Sequence, residues 1–382
     1  MRSEGEVSRP HLGRALGISL PTITNLVKKL LSEELIVEGG LGESQGGRRA
    51  TLLRLNPDYA QAIGVEVSVS GLNAVLMDLT GSVMASRKGN DGPVRDPERT
   101  INEVAGFIEE LLAEVSPKRL RGIGVGIAGL VDREQGVSIE FPHSESWSNV
   151  RVADSLRNRF NLPVLIDNDV QAATLAELRY GSARKVDSFL YLHIGQGIRL
   201  GVVVGGNILH GVHGRAGEVG HVVVEENGPI CYCGNNGCLE SVASPPALVK
   251  QACEALEKGV ESPLLAKAKA EPAGVTIEAV LSAAAQNDRL AMNLVERAGH
   301  HIGRTIADLA NIFDPRILIL AGKFGDRESP MMEVIERVFR RLAMPAARDS
   351  VEIRRSEFSE SPCARGAATL VFDRMFEEMA SS

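Results

Sequence analysis

Residues 217–240 read GEVGHVVVEENGPICYCGNNGCLE. Cys231, Cys233 and Cys238 are three of the chain's five cysteines, and His221 stands just upstream of them. Three thiolates and one imidazole make a closed tetrahedral set for zinc. The run from Gly234 to Gly237 allows the tight turn that brings Cys233 and Cys238 to one ion. Glu218, His221 and Glu240 flank this knot, and carboxylates held beside a rigid metal centre are placed to accept hydrogen bonds from a polyol. The C-x-C-x4-C spacing is not a common zinc-finger spacing, so three reduced core thiols with two surface acids remain the other reading of the same residues.

The pair GRAGEVGH and CYCGNNGCLE resembles the E-x-G-H and C-x-C-G-x-x-G-C-x-E signature of the ROK family of sugar-responsive repressors and sugar kinases. That resemblance implies a structural Zn2+ held by His221, Cys231, Cys233 and Cys238. It also implies that Glu218, His221 and Glu240 touch a sugar.

Upstream, Val164-Leu165-Ile166 reads as a short apolar strand ending in Asp167-Asn168-Asp169, and a helix follows from Val170 to Tyr180. Polar groups at the carboxyl end of a strand commonly line a ligand crevice. Asp and Asn at that place are equally ordinary helix caps. The stretch IDNDVQAATLAE resembles the N-D-A-N-A-A-x-x-x-E motif of ROK sugar kinases. The resemblance implies sugar binding by Asn168 and Asp169 and places Asp169 where those kinases hold their catalytic base. Gln171 stands where the motif has its second Asn.

Phosphoryl transfer rests mainly on positioning and neutralising the phosphates. The kinases' D-I-G-G-T-K corresponds here to Glu66-Val67-Ser68-Val69-Ser70-Gly71, with both glycines and the lysine lost. Their G-T-G-x-G corresponds to Gly195-Gln196-Gly197-Ile198-Arg199, with Arg199 in place of the last glycine. The expectation is a protein with no catalytic residue, Asp169 being vestigial. The alternatives are an ATP-dependent sugar kinase, or a sugar-binding protein with impaired DNA binding. The only tryptophan, Trp147 in FPHSESW, either edges the sugar site or packs in a core.

At the other end of the chain, Ser8 to Leu16 reads as a short helix stopped by Gly17. Ser19 opens a second helix, with Pro21 in its first turn, that runs to about Glu34. Ile23, Leu26, Val27, Leu30 and Leu31 form its apolar stripe. Thr22, Thr24, Asn25, Lys28 and Lys29 lie opposite, side chains of the kind that meet base edges and phosphates. Leu35 to Val37, a glycine-rich link, Arg48-Arg49 and Thr51 to Leu55 read as a hairpin wing. Helix, turn, helix and wing predict DNA contact by Thr22, Thr24, Asn25, Lys28, Arg48 and Arg49. The segment resembles the head of ROK repressors through GGRRATLLRLNPDY. The family's head begins one helix earlier, and Met1 to Val7 are too few for it.

The net charge of −7 gives no broad electrostatic case for nucleic acid, but residues 1–57 carry eight Lys or Arg against six Glu. An odd cysteine count with three clustered argues against a disulfide framework. No apolar run is long enough to span a bilayer and no leader is evident, which makes the cytoplasm the default location and excludes a membrane partner. Strands at Ala62–Val69, Leu72–Leu79 and Val83–Arg87, a helix at Pro97–Val115 and a strand at Gly122–Ala128 recur in outline after Ser188. The resemblance therefore implies an α/β fold: a duplicated actin-like, ribonuclease-H-like two-lobed ROK domain with a ligand cleft between the lobes and an N-terminal winged helix-turn-helix. The expected divisions are 1–57 for the head, 58–168 for the first lobe and 169–382 for the second, its last helix returning to the first lobe. The expected partners are operator DNA, a sugar or sugar phosphate effector, and a second copy in a homodimer or higher homo-oligomer.

Overall fold

In the computed structural model, which describes residues 2, 4–42, 49–89, 96–115, 118–271, 273–324, 329–358 and 360–381, the chain opens with a helix pair and a wing. These are β1 (Val7–Ser8), α1 (Arg9–Leu16), α2 (Leu20–Ser32), β2 (Ile36–Leu41) and β3 (Thr51–Leu55), the strands ordered β1-β3-β2. Ser8 accepts the amide of His11 at 3.3 Å to start α1, and Gly17, at φ +65°, ends it. Ser19 precedes α2 without capping it, because its hydroxyl pairs with that of Thr22 at 2.8 Å. Ile23 and Val27 are buried, but Leu26, expected on the same stripe, is 46% exposed. It lies one turn from Thr22 and from Lys29, on the face that neither α1 nor the hairpin covers.

The first five-stranded sheet follows. It contains β4 (Gln61–Ser68), β5 (Gly71–Asp78) and β6 (Val83–Lys88) as an antiparallel meander. After α3 (Pro97–Leu112), β7 (Leu120–Ile127) runs parallel to β4. A small antiparallel sheet comes next, of β8 (Leu130–Asp132), β9 (Val137–Phe141) and β10 (Ser144–Val150). Trp147 is buried there, its indole N–H donating to Ser138 Oγ at 2.8 Å, so it packs in the core. Then α4 (Val152–Phe160) leads to β11 (Val164–Asn168), parallel to β7, and to α5 (Asp169–Arg179). The order is β11-β7-β4-β5-β6.

The same plan recurs. A meander of β12 (Phe189–Ile194), β13 (Ile198–Val204) and β14 (Asn207–Ile208) is followed by α6 (Leu239–Ala243), α7 (Pro245–Glu257), α8 (Pro263–Ala270), α9 (Ile277–Ala285) and α10 (Arg289–Phe313). Next come β15 (Ile317–Gly322), α11 (Pro330–Leu342), α12 (Pro345–Ser350) and β16 (Glu352–Arg355), in the sheet order β14-β13-β12-β15-β16. In both sheets the meander's first strand pairs in parallel with the fourth strand, and the fourth with the fifth. This is the duplicated α/β plan.

The last helix, α13 (Pro362–Ser381), belongs with the first sheet. Two compact units result, one of residues 1–185 with 358–382 and one of residues 186–357. The division expected after Asn168 therefore falls inside the first unit, because α5 is held by α13. The backbones nearly touch: a Cβ on Gly366 would sit 1.6 Å from the carbonyl oxygen of Ala172, and one on Gly124 of β7 would sit 1.8 Å from that of Ala367. Arg179 of α5 pairs with Asp373 of α13 at 2.9 Å, and Arg2 pairs with the other oxygen of Asp373 at 2.6 Å.

The head belongs to this unit as well. Ile23, Val27, Leu35, Ile36, Leu53 and Leu55 form one core with Met77 and Leu79 of the first sheet's meander and with Ala368, Val371 and Phe372 of α13. No helix among the described residues is long and apolar enough to cross a membrane.

Candidate functional site

The second unit holds the knot. His221 closes a single 3-10 turn (Val219–His221), and Cys238 leads into α6. Single bridges between Val223 and Cys238 and between Ile230 and Asn236 fold the segment back on itself. The ligand atoms of His221, Cys231, Cys233 and Cys238 all lie within 4.8 Å of one another. Cys231 Sγ is 3.6 Å from His221 Nδ1, and Cys233 Sγ is 3.6 Å from Cys238 Sγ. A tetrahedral zinc with bonds of about 2.3 Å to sulfur and about 2.0 Å to nitrogen has ligand-to-ligand edges of about 3.5–3.8 Å. The four residues thus fit a structural zinc ion by donor set and by spacing. Burial, reinforced by the neighbouring Cys233 sulfur, pushes the Cys238 thiol up to about 12. A cation is what allows three such sulfurs to be thiolates together.

The sugar candidates of this unit gather at the start of β13. Leu200 N–H donates to the carbonyl of Gly217 at 2.8 Å. Gly217 adopts φ +93°, and a Cβ there would meet the Leu200 carbonyl at 1.8 Å. The E-x-G-H segment is therefore pressed against residues 198–200. Glu240 Oε2 accepts the Ile198 N–H at 2.9 Å. Glu218 is gripped by Arg199, whose Nε donates to Oε2 at 3.3 Å while Nη2 contacts Oε1. His221, with Nδ1 turned to the sulfurs, points Nε2 at Tyr232 Oη, 3.0 Å away, and lies 4.0 Å from Glu218 Oε2. The Tyr232 ring meets the imidazole edge-on. Tyr232 and the Arg199–Glu218 pair were not expected from the sequence. The place of Tyr232 between two ligand cysteines was the available signal.

The first unit holds Asn168 and Asp169 where β11 ends and α5 begins. Asn168 caps α5 by accepting the amides of Val170 and Gln171 at 2.9 and 3.2 Å, and its own amide donates to the Gly129 carbonyl at 2.9 Å. Asp167, almost fully buried, pairs with Arg133 at 3.0 Å. Glu66 faces Asn73 across the β4–β5 ladder and accepts its amide at 3.3 Å. Burial, and then the charge of Asp169, push the Glu66 carboxyl up to about 7. Ser68 bonds to Ser70 Oγ at 3.1 Å and to the Gly71 carbonyl at 3.0 Å.

On the head, Thr22, Asn25, Lys28 and Arg49 are exposed. The Thr24 hydroxyl is turned back to the Leu20 carbonyl at 2.8 Å. Arg48 lies outside the described residues. Exposed Leu26 adds an apolar group to the open face of α2, of the type that meets a thymine methyl.

The ROK family profile matches residues 62–374, and the chain belongs to the ROK family. It is 29% identical over 371 residues to the xylose repressor of Caldicellulosiruptor bescii, covering 97% of this chain and 92% of the relative. It is 29% identical over 377 residues to the DNA-binding transcriptional dual regulator NagC of Escherichia coli, covering 96% of this chain and 89% of NagC. The crystal structure of a ROK family transcriptional regulator, a homologue of the E. coli MLC protein, superposes with a TM-score of 0.80 at 29% identity. That match covers 97% of this chain and 92% of the other. A ROK family glucokinase from Streptomyces griseus, solved with glucose and AMPPNP, gives 0.72 at 26% identity, covering 82% of this chain and all of the kinase.

Proposed function

We propose that the protein is a sugar-responsive repressor of carbohydrate genes. The observation that carries this reading is one chain with both a winged helix-turn-helix head and a zinc knot flanked by Glu218, His221 and Glu240. The head contacts an operator through Thr22, Asn25 and Lys28 on α2, with Thr24 beside them, and through Arg48 and Arg49 of the wing. Asn168 and Asp169 are the sugar ligands of the first unit in this reading, and Glu218, His221 and Glu240 are those of the second. Zinc holds His221, Cys231, Cys233 and Cys238 in place and takes no part in chemistry. The protein acts on its operator as a homodimer.

A route for the signal runs through the first unit. Asn168 and Asp169 sit at the start of α5, α5 is locked to α13, and α13 completes the core of the head. A sugar that prefers one arrangement of α5 thereby biases the head; one indifferent to both shifts nothing.

Kinase activity is disfavoured at both loops. Side chains stand at Ser68 and Val69 where backbone must approach phosphates, and Arg199 is engaged by Glu218. The position of the kinases' base is kept in Asp169, while the phosphate loops are not.

The test is fluorescence anisotropy of the full chain on labelled DNA from its own upstream region, at fixed salt, with and without a panel of sugars. A sugar that changes the affinity supports the reading. No binding to that DNA with any sugar, together with ADP release from ATP and a hexose, refutes it in favour of a kinase.

A further inference from the structure

We infer that Arg199 is a positioning and specificity-determining residue for the effector, and that the effector is a neutral sugar rather than a sugar phosphate or a sugar acid. The inference rests on the reading of Glu218 and Glu240 as sugar ligands.

The geometry begins with the backbone. Gly217 and Gly220 lie against the carbonyls of Leu200 and Ile198, so Glu218 has to project beside Arg199. The guanidinium then takes the carboxylate in a two-pronged grip, Nε to Oε2 and Nη2 to Oε1. Such forks fix orientation as well as charge. Both side chains are largely covered, 19% and 28% exposed. Glu218 is thus held as an acceptor with a set direction, and Arg199 is not at liberty to receive a phosphate.

The charge balance points the same way. Arg199 and Glu218 cancel. Glu240 makes no ion pair among the described residues; its oxygen takes only the Ile198 amide. A zinc ion with three thiolates and a neutral imidazole carries one net negative charge. The patch around His221 is therefore anionic, with Glu218, His221 and Glu240 each partly exposed. It favours hydroxyl donors and repels an anion. Replacing the kinases' glycine with Arg199 serves sugar binding here: it holds Glu218 still, and it fills the place of a phosphate cradle.

The experiment is isothermal titration calorimetry of the zinc-replete full chain with three matched pairs of probes. These are D-xylose against D-glucuronate, D-glucose against D-glucose 6-phosphate, and N-acetyl-D-glucosamine against its 6-phosphate. Wild type, Arg199→Leu, Arg199→Lys and Glu218→Gln are compared, with zinc content and thermal unfolding recorded for each. The expected result is that a neutral member binds and its charged counterpart is weaker by about tenfold or more. Arg199→Leu weakens the neutral sugar, and Arg199→Lys restores it in part. Glu218→Gln frees the guanidinium and narrows the neutral-to-charged ratio by about tenfold, an effect that a merely structural role of Arg199 does not produce. Tighter binding of a charged member by wild type overturns the inference and leaves the regulator standing. Variants that move both members of a pair equally overturn the positioning role. Failure of all six probes to bind overturns the inference, and the operator-binding assay with its wider sugar panel then decides the proposed function.

Discussion

The carboxyl of Glu66 makes the first unit less stable as the pH rises, and Glu66→Gln removes that dependence. The group moves from 4.5 to about 7 on folding, through burial and then through the charge of Asp169. A carboxyl whose pKa is higher in the fold than in the unfolded chain supports the fold while protonated. Its contribution is complete below the unfolded value and is lost as the pH climbs through the folded one. At about 1.4 kcal/mol per unit, the full loss is roughly 3 kcal/mol, most of which falls between pH 5 and pH 8. Glutamine keeps the shape and the acceptor for Asn73 but never ionises. The assay is urea unfolding followed by the fluorescence of Trp147, the chain's only tryptophan, which is buried in the same unit. The gain of Glu66→Gln over wild type is expected to be roughly 2–3 kcal/mol larger at pH 8 than at pH 5. Taking the difference between variants cancels every other titrating group that the substitution leaves alone. An equal gain at both pH values, or a larger one at pH 5, refutes the assignment of a raised carboxyl.

Three further outcomes are expected. Gly366→Ala sets a methyl 1.6 Å from the Ala172 carbonyl, so α13 has to lift from α5 at a cost of about 1–3 kcal/mol; the Trp147 unfolding midpoint falls and operator affinity falls with it. Cys231→Ser removes a zinc ligand, and bound zinc by elemental analysis drops while the sugar concentration needed for half-release of DNA rises by about tenfold or more. Arg49→Ala weakens binding to operator and random DNA alike and reduces the slope of log affinity against log salt by about one, whereas Asn25→Ala selectively weakens operator binding.

What the sequence disclosed depended on how local the chemistry is. The zinc ligands lie within a short run, and cysteine and histidine have few other reasons to cluster. The knot was therefore readable, and the structure brings its four ligand atoms together. The meanders and the helix pair were readable too, because alternation and caps are properties of neighbours. The grip of Arg199 on Glu218 was not, since it arises only when the E-x-G-H segment lies along β13. The raised carboxyl of Glu66 comes from burial within the fold and then from the charge of Asp169 at the start of α5, neither of which is local in sequence. Leu26 satisfied the periodicity of a buried stripe yet faces outward, because periodicity states which residues share a face and not how wide a neighbour covers it. Asn168 illustrates a choice that remained open: it caps α5 as any Asn does there, and the cap is also what fixes its side chain at the end of β11.

The core that the head shares with α13 bears on how the protein is made. The head is translated well before Ala368, Val371 and Phe372, which close its interior. At about 5–20 residues per second, the nascent head waits roughly 15 to 65 seconds for those side chains. During that interval Ile23, Val27 and Leu53 lack part of their partner surface. A polypeptide cut short between Leu55 and Pro362 carries the whole head but lacks the helix that completes its core. Such a product is expected to bind DNA more weakly than the full chain, and an anisotropy titration of a chain ended before Pro362 checks this.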